Sequence, residues 1–313
     1  MKIVFMGTPQ AAVPSLERIV QDGHEIVAVY TQPDRPAGRG NKIVFPPVKQ
    51  FALDLNIPIY QPIKIKTPEA LAEFKSHNAD AAVVVAYGRI LPESFLYAFP
   101  IGAINVHFSR LPKYRGAAPV NWAIVHGETT TGVTTMQMDA GLDTGDILLQ
   151  RETHIGPNEN AIDLMQRLSL IGADLLSETL SEYSHIEPRP QDELHATLAP
   201  IMKKEDGLIS WMLSANEIAH RVRGFQPFPT SFTYYKDKKI TIWKCEPISI
   251  QHHLSSVGSI VEAKGDNLAV FCGGDSVLKI EELQLEGKRR VSARDFVNGL
   301  KPAVGEILGA QKV

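Results

Sequence analysis

Residues Ala81-Ala82-Val83-Val84-Val85-Ala86 form an unbroken apolar run with no polar face, and the run is too short for a core helix. A strand of this kind has to be covered on both sides, and such strands belong to parallel sheets layered with helices. Residues 2–6, 25–31 and 102–108 also read as strands. Between them, 11–21 spaces Val13, Leu16, Ile19 and Val20 at helical intervals, and 47–55 reads as a second helix. Alternation of this sort predicts a doubly wound, mainly parallel α/β domain.

Two further strands, 131–138 and 146–152, flank a Gly-rich loop, and a helix follows at 160–183. From 184 to 206 the chain turns polar and Pro-rich (Ile186-Glu187-Pro188-Arg189-Pro190), which suits a linker. One helix at 215–224 then precedes short β-rich segments at 239–243, 258–262, 269–271 and 277–285. That density predicts a small β-barrel or sandwich. At roughly 100–200 residues per domain, a chain of 313 suggests two domains. The expected division is 1–184, a linker at 185–206, and 207–313.

Composition excludes classes. Hydrophobic residues at 44% and charged residues at 21% are ordinary globular usage, unlike disordered or fibrous chains. No apolar run approaches the ~20 residues of a membrane-spanning helix. The first apolar stretch breaks at Gly7, short of a secretory core, so a cytoplasmic location is expected. Cys245 and Cys272 cannot build a disulfide framework or a paired metal site. Net charge is −3, but from Lys204 onward 15 Lys+Arg meet 13 Asp+Glu, against 17 and 22 before it. The second part therefore permits a polyanion to lie on it.

In an open parallel sheet the ligand lies at the carboxyl ends of the strands. The first such loop, Gly7-Thr8-Pro9-Gln10, holds one glycine, so the dinucleotide fingerprint is absent. There is also no phosphate-gripping P-loop, nucleophile elbow or H-E-x-x-H. Asp139, Asp143 and Asp146 do not carry calcium-loop spacing, so calcium is a poor fit.

Two features remain. Asn105 and His107 share one face of a strand that ends in Ser109-Arg110-Leu111-Pro112, while Ile104 and Val106 point the other way. Downstream, Asp139-Ala140-Gly141-Leu142-Asp143-Thr144-Gly145-Asp146 is an acidic loop relaxed by glycines. Alone, a histidine at a strand end is most often bland, and an aspartate in a Gly-rich loop most often does turn chemistry. Together they suit acyl transfer without a covalent intermediate. The Asn105 amide can donate to a developing oxyanion, and His107 can share that role or pass a proton to the leaving nitrogen. A carboxylate such as Asp143 would support the ring.

The segment 105–116, with 139–145 after it, resembles the signature of folate-dependent formyltransferases. The resemblance implies a Rossmann-like catalytic domain followed by a small OB-like β-barrel domain. It also implies Asn105, His107 and Asp143 as catalytic residues and 10-formyltetrahydrofolate as co-substrate, with no metal. Ser109, Arg110, Leu111 and Pro112, with the turn Gly88, Arg89, Ile90 and Leu91, are then expected to line the folate pocket. Arg110 stands where the family usually has leucine.

Residues 31–42 are similar to the loop by which one branch of this family enters the acceptor arm of initiator methionyl-tRNA. It is a Gly/Pro-punctuated surface loop presenting Arg35, Arg39 and Lys42. Asn41 replaces one of that branch's paired lysines. Residues 204–211 and 222–229 are similar to the join between the two domains, and 283–290 to the barrel. Lys236, Lys238, Lys239, Lys288, Arg289 and Arg290 are the barrel's candidate tRNA phosphate contacts, each equally plausible as a solvated surface charge. The resemblance implies formyl transfer to the α-amino group of methionine on initiator tRNA, for translation initiation. No membrane and no obligatory protein partner are implied.

The nearest alternative is a sugar-amine formyltransferase, which shares the catalytic set but has no use for Arg39 and Lys42. A glycinamide ribonucleotide formyltransferase leaves the second domain unexplained. A non-catalytic RNA-binding protein would keep tRNA binding after His107→Ala, and an NAD oxidoreductase lacks its glycine fingerprint here.

Overall fold

The computed structural model describes residues 1–37, 42–250 and 256–309. In chain order it begins β1 (Lys2–Gly7), α1 (Val13–Gln21), β2 (Glu25–Tyr30), β3 (Arg35–Ala37), β4 (Lys42–Val44) and α2 (Pro47–Asp54). Next come β5 (Ile59–Tyr60), α3 (Pro68–Ser76), β6 (Ala81–Val85), α4 (Glu93–Leu96) and β7 (Ala103–His107). The chain continues through β8 (Arg115–Gly116), α5 (Pro119–Val125), β9 (Thr130–Gln137), β10 (Ile147–His154), α6 (Ala161–Glu182) and β11 (Leu198–Ala199). It divides into two compact units. The first comprises Met1–Pro119, Thr130–His154 and Met165–Pro200; the second comprises Val120–Thr129, Ile155–Leu164 and Ile201–Val313.

The first unit is built on a seven-stranded sheet in the order β10-β9-β7-β6-β1-β2-β5. The five strands from β7 to β5 run parallel, and β9 and β10 add an antiparallel hairpin beside β7. Both faces are apolar, as the run at 81–86 requires. Val4, Met6, Ala28, Tyr30, Ala82 and Val84 pack with Phe74 of α3 and Phe95 of α4. The alternate residues Ile3, Phe5, Val83 and Val85 are equally buried on the opposite face. Burial of each such side chain contributes roughly 1.5–3 kcal/mol, so β6 fixes the sheet more firmly than any surface pairing can.

Strand order positions the site. From β1 the chain moves outward to β2 and β5, then returns to β6 on the other side of β1. A reversal of this kind opens a crevice at the carboxyl ends of the two diverging strands, here after Gly7 and after Val85. β7 lies next to β6 in parallel register, Val84 opposite Asn105, and so delivers Asn105 and His107 to the same edge.

Residues 31–42, expected as an irregular loop, carry a short antiparallel hairpin instead. Arg35 pairs with Val44, Pro36 with Ile43 and Ala37 with Lys42. The β-branched Ile43 and Val44 favour the extended form, and Pro36 is tolerated because a two-stranded ribbon has only edges. Residues 38–41, Arg39 among them, lie outside the described residues. The Pro-rich stretch after α6 also makes ordered pairings within the first unit. Ile147 and Arg189 exchange both backbone hydrogen bonds, at 2.8 and 2.9 Å, and β11 runs parallel to β8.

The second unit adds α7 (Ala215–Gly224), β12 (Ser231–Tyr235), β13 (Lys238–Ile248), β14 (Ile260–Lys264), β15 (Asn267–Cys272), β16 (Ser276–Leu285), β17 (Val291–Ser292) and α8 (Ala293–Leu300). Its strands form an antiparallel sheet, β12-β13-β16-β15-β14, with β17 against β16. Among the described residues no ladder joins β12 to β14, so pairing does not close the sheet into a barrel. Ile218 and Val222 of α7 and Phe296 of α8 share its core with Ile240, Ile242, Val270 and Ile280. α7 starts where the sequence predicts because Ser214 and Glu217 form a reciprocal capping box. Replacing Ser214 by alanine is expected to cost about 1 kcal/mol, read as a lowered midpoint in denaturant unfolding.

Candidate active site

Asn105 and His107 are almost fully buried at the end of β7, an interior strand flanked by β6 and β9. Val106, between them, faces α6 closely: a Cβ on Gly172 would lie 3.0 Å from its Cγ1. The polar pair therefore projects from the other face, as alternation requires. His107 Nε2 donates to the Tyr114 carbonyl at 2.9 Å, which commits one edge of the ring to the loop after β7. The Asn105 carboxamide has no hydrogen-bond partner among the described residues.

That loop is tied to β9 and β10. Thr134 Oγ1 donates to the Ser109 carbonyl at 2.7 Å and accepts from the Leu111 amide at 3.2 Å, while Gln150 donates to the Leu111 carbonyl at 2.7 Å. Ser109 is itself fully buried, with its hydroxyl donating to the Lys113 carbonyl at 2.6 Å. Leu111 packs on Met136 and Ile147, and the peptide to Pro112 is cis. Arg110 points outward and pairs with Glu152.

The acidic loop closes on this arrangement from β9 and β10. Asp139 Oδ1 accepts from the Gly141 amide at 3.0 Å and the Thr144 hydroxyl at 2.7 Å, an Asx turn that shapes the loop. Asp143 sits at its apex with φ +53° and its Oδ2 accepts from the Gly116 amide at 2.8 Å. The same oxygen is 3.7 Å from His107 Nδ1, an ion-pair distance rather than a hydrogen bond. His107 and Asp143 thus meet at the carboxyl edge of the sheet, with Asn105 two residues back on the same face of β7. Gly145 is required by space: a Cβ there would sit 1.8 Å from the Gln137 carbonyl oxygen. Since a displacement of about 1 Å costs up to about 100-fold in rate, Gly145→Ala is expected to lose activity on that scale. Near-normal turnover of the folded variant would show that the loop's position does not matter.

Gly88 to Leu91 leave the crevice after β6. Gly88 has φ +82°, and Arg89 is held by the Gln32 side chain at 3.2 Å and the carbonyls of Pro62 and Ile63, both at 2.9 Å. Ile90 is 76% exposed, whereas Leu91 is buried in the core. Of the eight residues expected to line a folate pocket, Ser109, Leu111 and Leu91 turn their side chains into the protein, and the Ser109 carbonyl and both backbone groups of Leu111 are already hydrogen-bonded to Thr134 and Gln150. Arg35 is exposed on β3, and Lys42 opens β4. Lys288 and Arg289 are exposed without ion pairs among the described residues, while Arg290 lies 4.0 Å over the Trp243 ring and pairs with Glu282 at 3.3 Å. Among the described residues no cluster of metal ligands occurs.

Sequence reading missed a second network. Lys49 Nζ donates to Asp34 at 2.6 Å and Gln61 at 3.0 Å, and Gln61 donates to Asp34 at 2.9 Å. These bonds hold the Asp34 carboxyl below its ordinary range and fasten the base of the β3–β4 hairpin. Nothing in the spacing of 34, 49 and 61 announces it, because the three meet only when α2 and β5 are in place.

The chain matches the family described as Formyl transferase over residues 1–180, and the Formyl transferase C-terminal domain over 201–301. A methionyl-tRNA formyltransferase of Solibacter usitatus is 48% identical over 311 residues, 99% of each chain. That of Geobacter metallireducens is 47% identical over 311 residues, again 99% of each. Among solved structures, an N-formyltransferase from Helicobacter canadensis in complex with folinic acid and dTDP-3-aminofucose is similar, with a TM-score of 0.65. The match covers 90% of this chain and 98% of that one at 20% identity, a likeness of fold alone. With an N-terminal and a C-terminal match in the same order, the chain belongs to the formyl transferase family.

Proposed function

We propose that the protein transfers the formyl group of 10-formyltetrahydrofolate to the α-amino group of methionine esterified to initiator tRNA. The observation that carries this is a likeness of 48% identity, along 99% of both chains, to a relative named for that reaction. The folate co-substrate supplies a formyl group already activated on nitrogen. Its site is proposed at the crevice after β1 and β6. There, among the described residues, the backbone N–H groups of Gly88, Arg89, Ile90 and Leu91 make no hydrogen bonds and suit the acceptor edge of a planar heterocycle. Ser109 to Pro112 are assigned to the same pocket.

The amine must attack uncharged, and a free α-amino group has pKa ~7.7–8.0, so a useful fraction is neutral near physiological pH. Asn105 donates to the oxygen on which negative charge develops. His107, anchored through Nε2, presents its Nδ1 edge to the reacting atoms and carries a proton toward the leaving nitrogen. Asp143, held by the Gly116 amide, supports the ring from that side.

Residues 1–184 are assigned to this chemistry and 207–313 to holding the tRNA, with the cytoplasm as location. Among the described residues no helix is long and apolar enough to cross a membrane. Arg35, Arg39 and Lys42 are the proposed contacts of the first unit, and Lys288, Arg289 and Arg290 those of the second. Replacing Arg39 or Lys42 by alanine is expected to weaken use of the tRNA. Its salt dependence should fall by about 0.7–0.9 in log–log slope for each phosphate left unneutralised. Folate binding should not change; a folate defect would assign these residues to the folate site instead.

The direct test offers the purified protein 10-formyltetrahydrofolate with methionyl-initiator-tRNA and, separately, with an amino-sugar nucleotide. Formylation of the tRNA is the expected result. Formylation of the sugar alone would replace the proposal with the sugar-amine reading.

A further inference from the structure

The stretch after α6, whose composition suits a linker, reaches back to the acidic loop through one side chain. Gln191 Nε2 donates to the carbonyl of Asp143 at 2.9 Å and to the carbonyl of Gly145 at 2.7 Å. Its Oε1 accepts from Arg115 Nε at 2.9 Å. Both amide hydrogens and the oxygen are therefore committed, and the carboxamide has one orientation.

Arg115 is itself fixed. It is 5% exposed, and its remaining nitrogens make a bidentate pair with Glu193 at 2.7 and 2.9 Å. A planar fork held in this way has little freedom to turn. Its backbone is held as well, since the Arg115 amide donates to the Thr197 carbonyl at 2.8 Å and β8 pairs with β11. Asp143 is thus gripped twice from one place. The Gly116 amide holds its carboxylate, and the neighbouring Arg115 side chain, through Gln191, holds its carbonyl.

Asp143 needs such a grip. At φ +53° it occupies the left-handed region, which residues other than glycine avoid and aspartate tolerates only somewhat better than most. Without Gln191 the carbonyls of Asp143 and Gly145 would also lose their donor. A loop released from that constraint would relax and carry the carboxylate away from His107.

We infer that Gln191, oriented by the Arg115–Glu193 pair, is a positioning residue that sets Asp143 against His107. The inference rests on the proposed role of Asp143 in formyl transfer. With its carboxamide committed to Arg115 and the loop, Gln191 acts through the backbone on either side of the carboxylate.

The test uses the full-length protein with Gln191→Ala and Gln191→Glu. The second variant keeps an acceptor for Arg115 but removes both donors to the loop, so it separates release of the loop from release of the arginine. Each is expected to lower kcat by about 10–100-fold, the scale of a sub-ångström to 1 Å displacement, with KM for the folate within about twofold. Asp143→Asn supplies the cycle: in that background Gln191→Ala should add less than about threefold, because both changes act on one element. Amide hydrogen exchange over residues 139–147 should rise in both Gln191 variants, and this readout does not depend on turnover. Unchanged exchange there, or fully additive effects on kcat, would overturn the inference. Wild-type protein that formylates no tRNA would instead overturn the functional reading, while the exchange result would still decide whether Gln191 holds the loop.

Discussion

Replacing His107 by alanine is expected to lower kcat for formyl transfer by about 100–10,000-fold, the range for removal of a positioned acid or base. Two interactions carry this expectation. The ring is anchored to the Tyr114 carbonyl at 2.9 Å and stands 3.7 Å from the Asp143 carboxylate. Alanine removes the proposed proton carrier and leaves Asp143 facing an apolar methyl. Because the residue is almost fully buried, the variant needs a folding check by thermal melt, and His107→Asn serves as a smaller volume change. The measurement is single-turnover formylation of methionyl-tRNA under saturating folate. A folded His107→Ala protein within about tenfold of wild type would remove the imidazole from the chemistry.

Asn105→Ala is expected to cost about 100–1,000-fold, typical of removing one donor to an oxyanion. The effect should fall on kcat rather than KM, since the proposed bond strengthens only as charge develops on the oxygen. Asn105→Asp has nearly the same shape but can only accept when ionised, so it should be at least as damaging. A defect confined to KM in both variants would make Asn105 a binding residue and nothing more. The double variant Asn105→Ala, His107→Ala should not multiply the two effects, because groups that act on one transition state are not independent.

Much of the first unit was legible because its signals are local. The apolar run at 81–86 gave a strand buried on both faces, and the spacing of Val13, Leu16 and Ile19 gave α1. Alternation alone placed Asn105 and His107 on one face, and the structure finds Val106 turned to α6. The meeting of Asp143 with His107 followed from strand order, not from spacing, and needed the β9–β10 hairpin to lie beside β7. What stayed hidden is long-range. Short pieces such as β3, β4, β8 and β11 have too few residues to show a period, and they exist because a partner strand is present. The sheet of the second unit was recognisable from its density of β-rich segments. β12 escaped notice because Ser231-Phe232-Thr233-Tyr234-Tyr235 begins just after the Pro-rich 227–229 stretch.

The interior position of β7 also decides how this site can vary. Residues two apart on one face of a strand stand about 6.5–7 Å from each other, so the backbone acts as a ruler between Asn105 and His107. Insertion of a single residue between them would turn one side chain to the α6 side, whatever its chemistry. The loops at 109–116 and 139–146 are not measured out by a pleat: outside the β8–β11 pair, individual side-chain hydrogen bonds hold them. A change in loop length therefore displaces backbone, whereas a change within the Asn-x-His interval of the strand reverses a side chain.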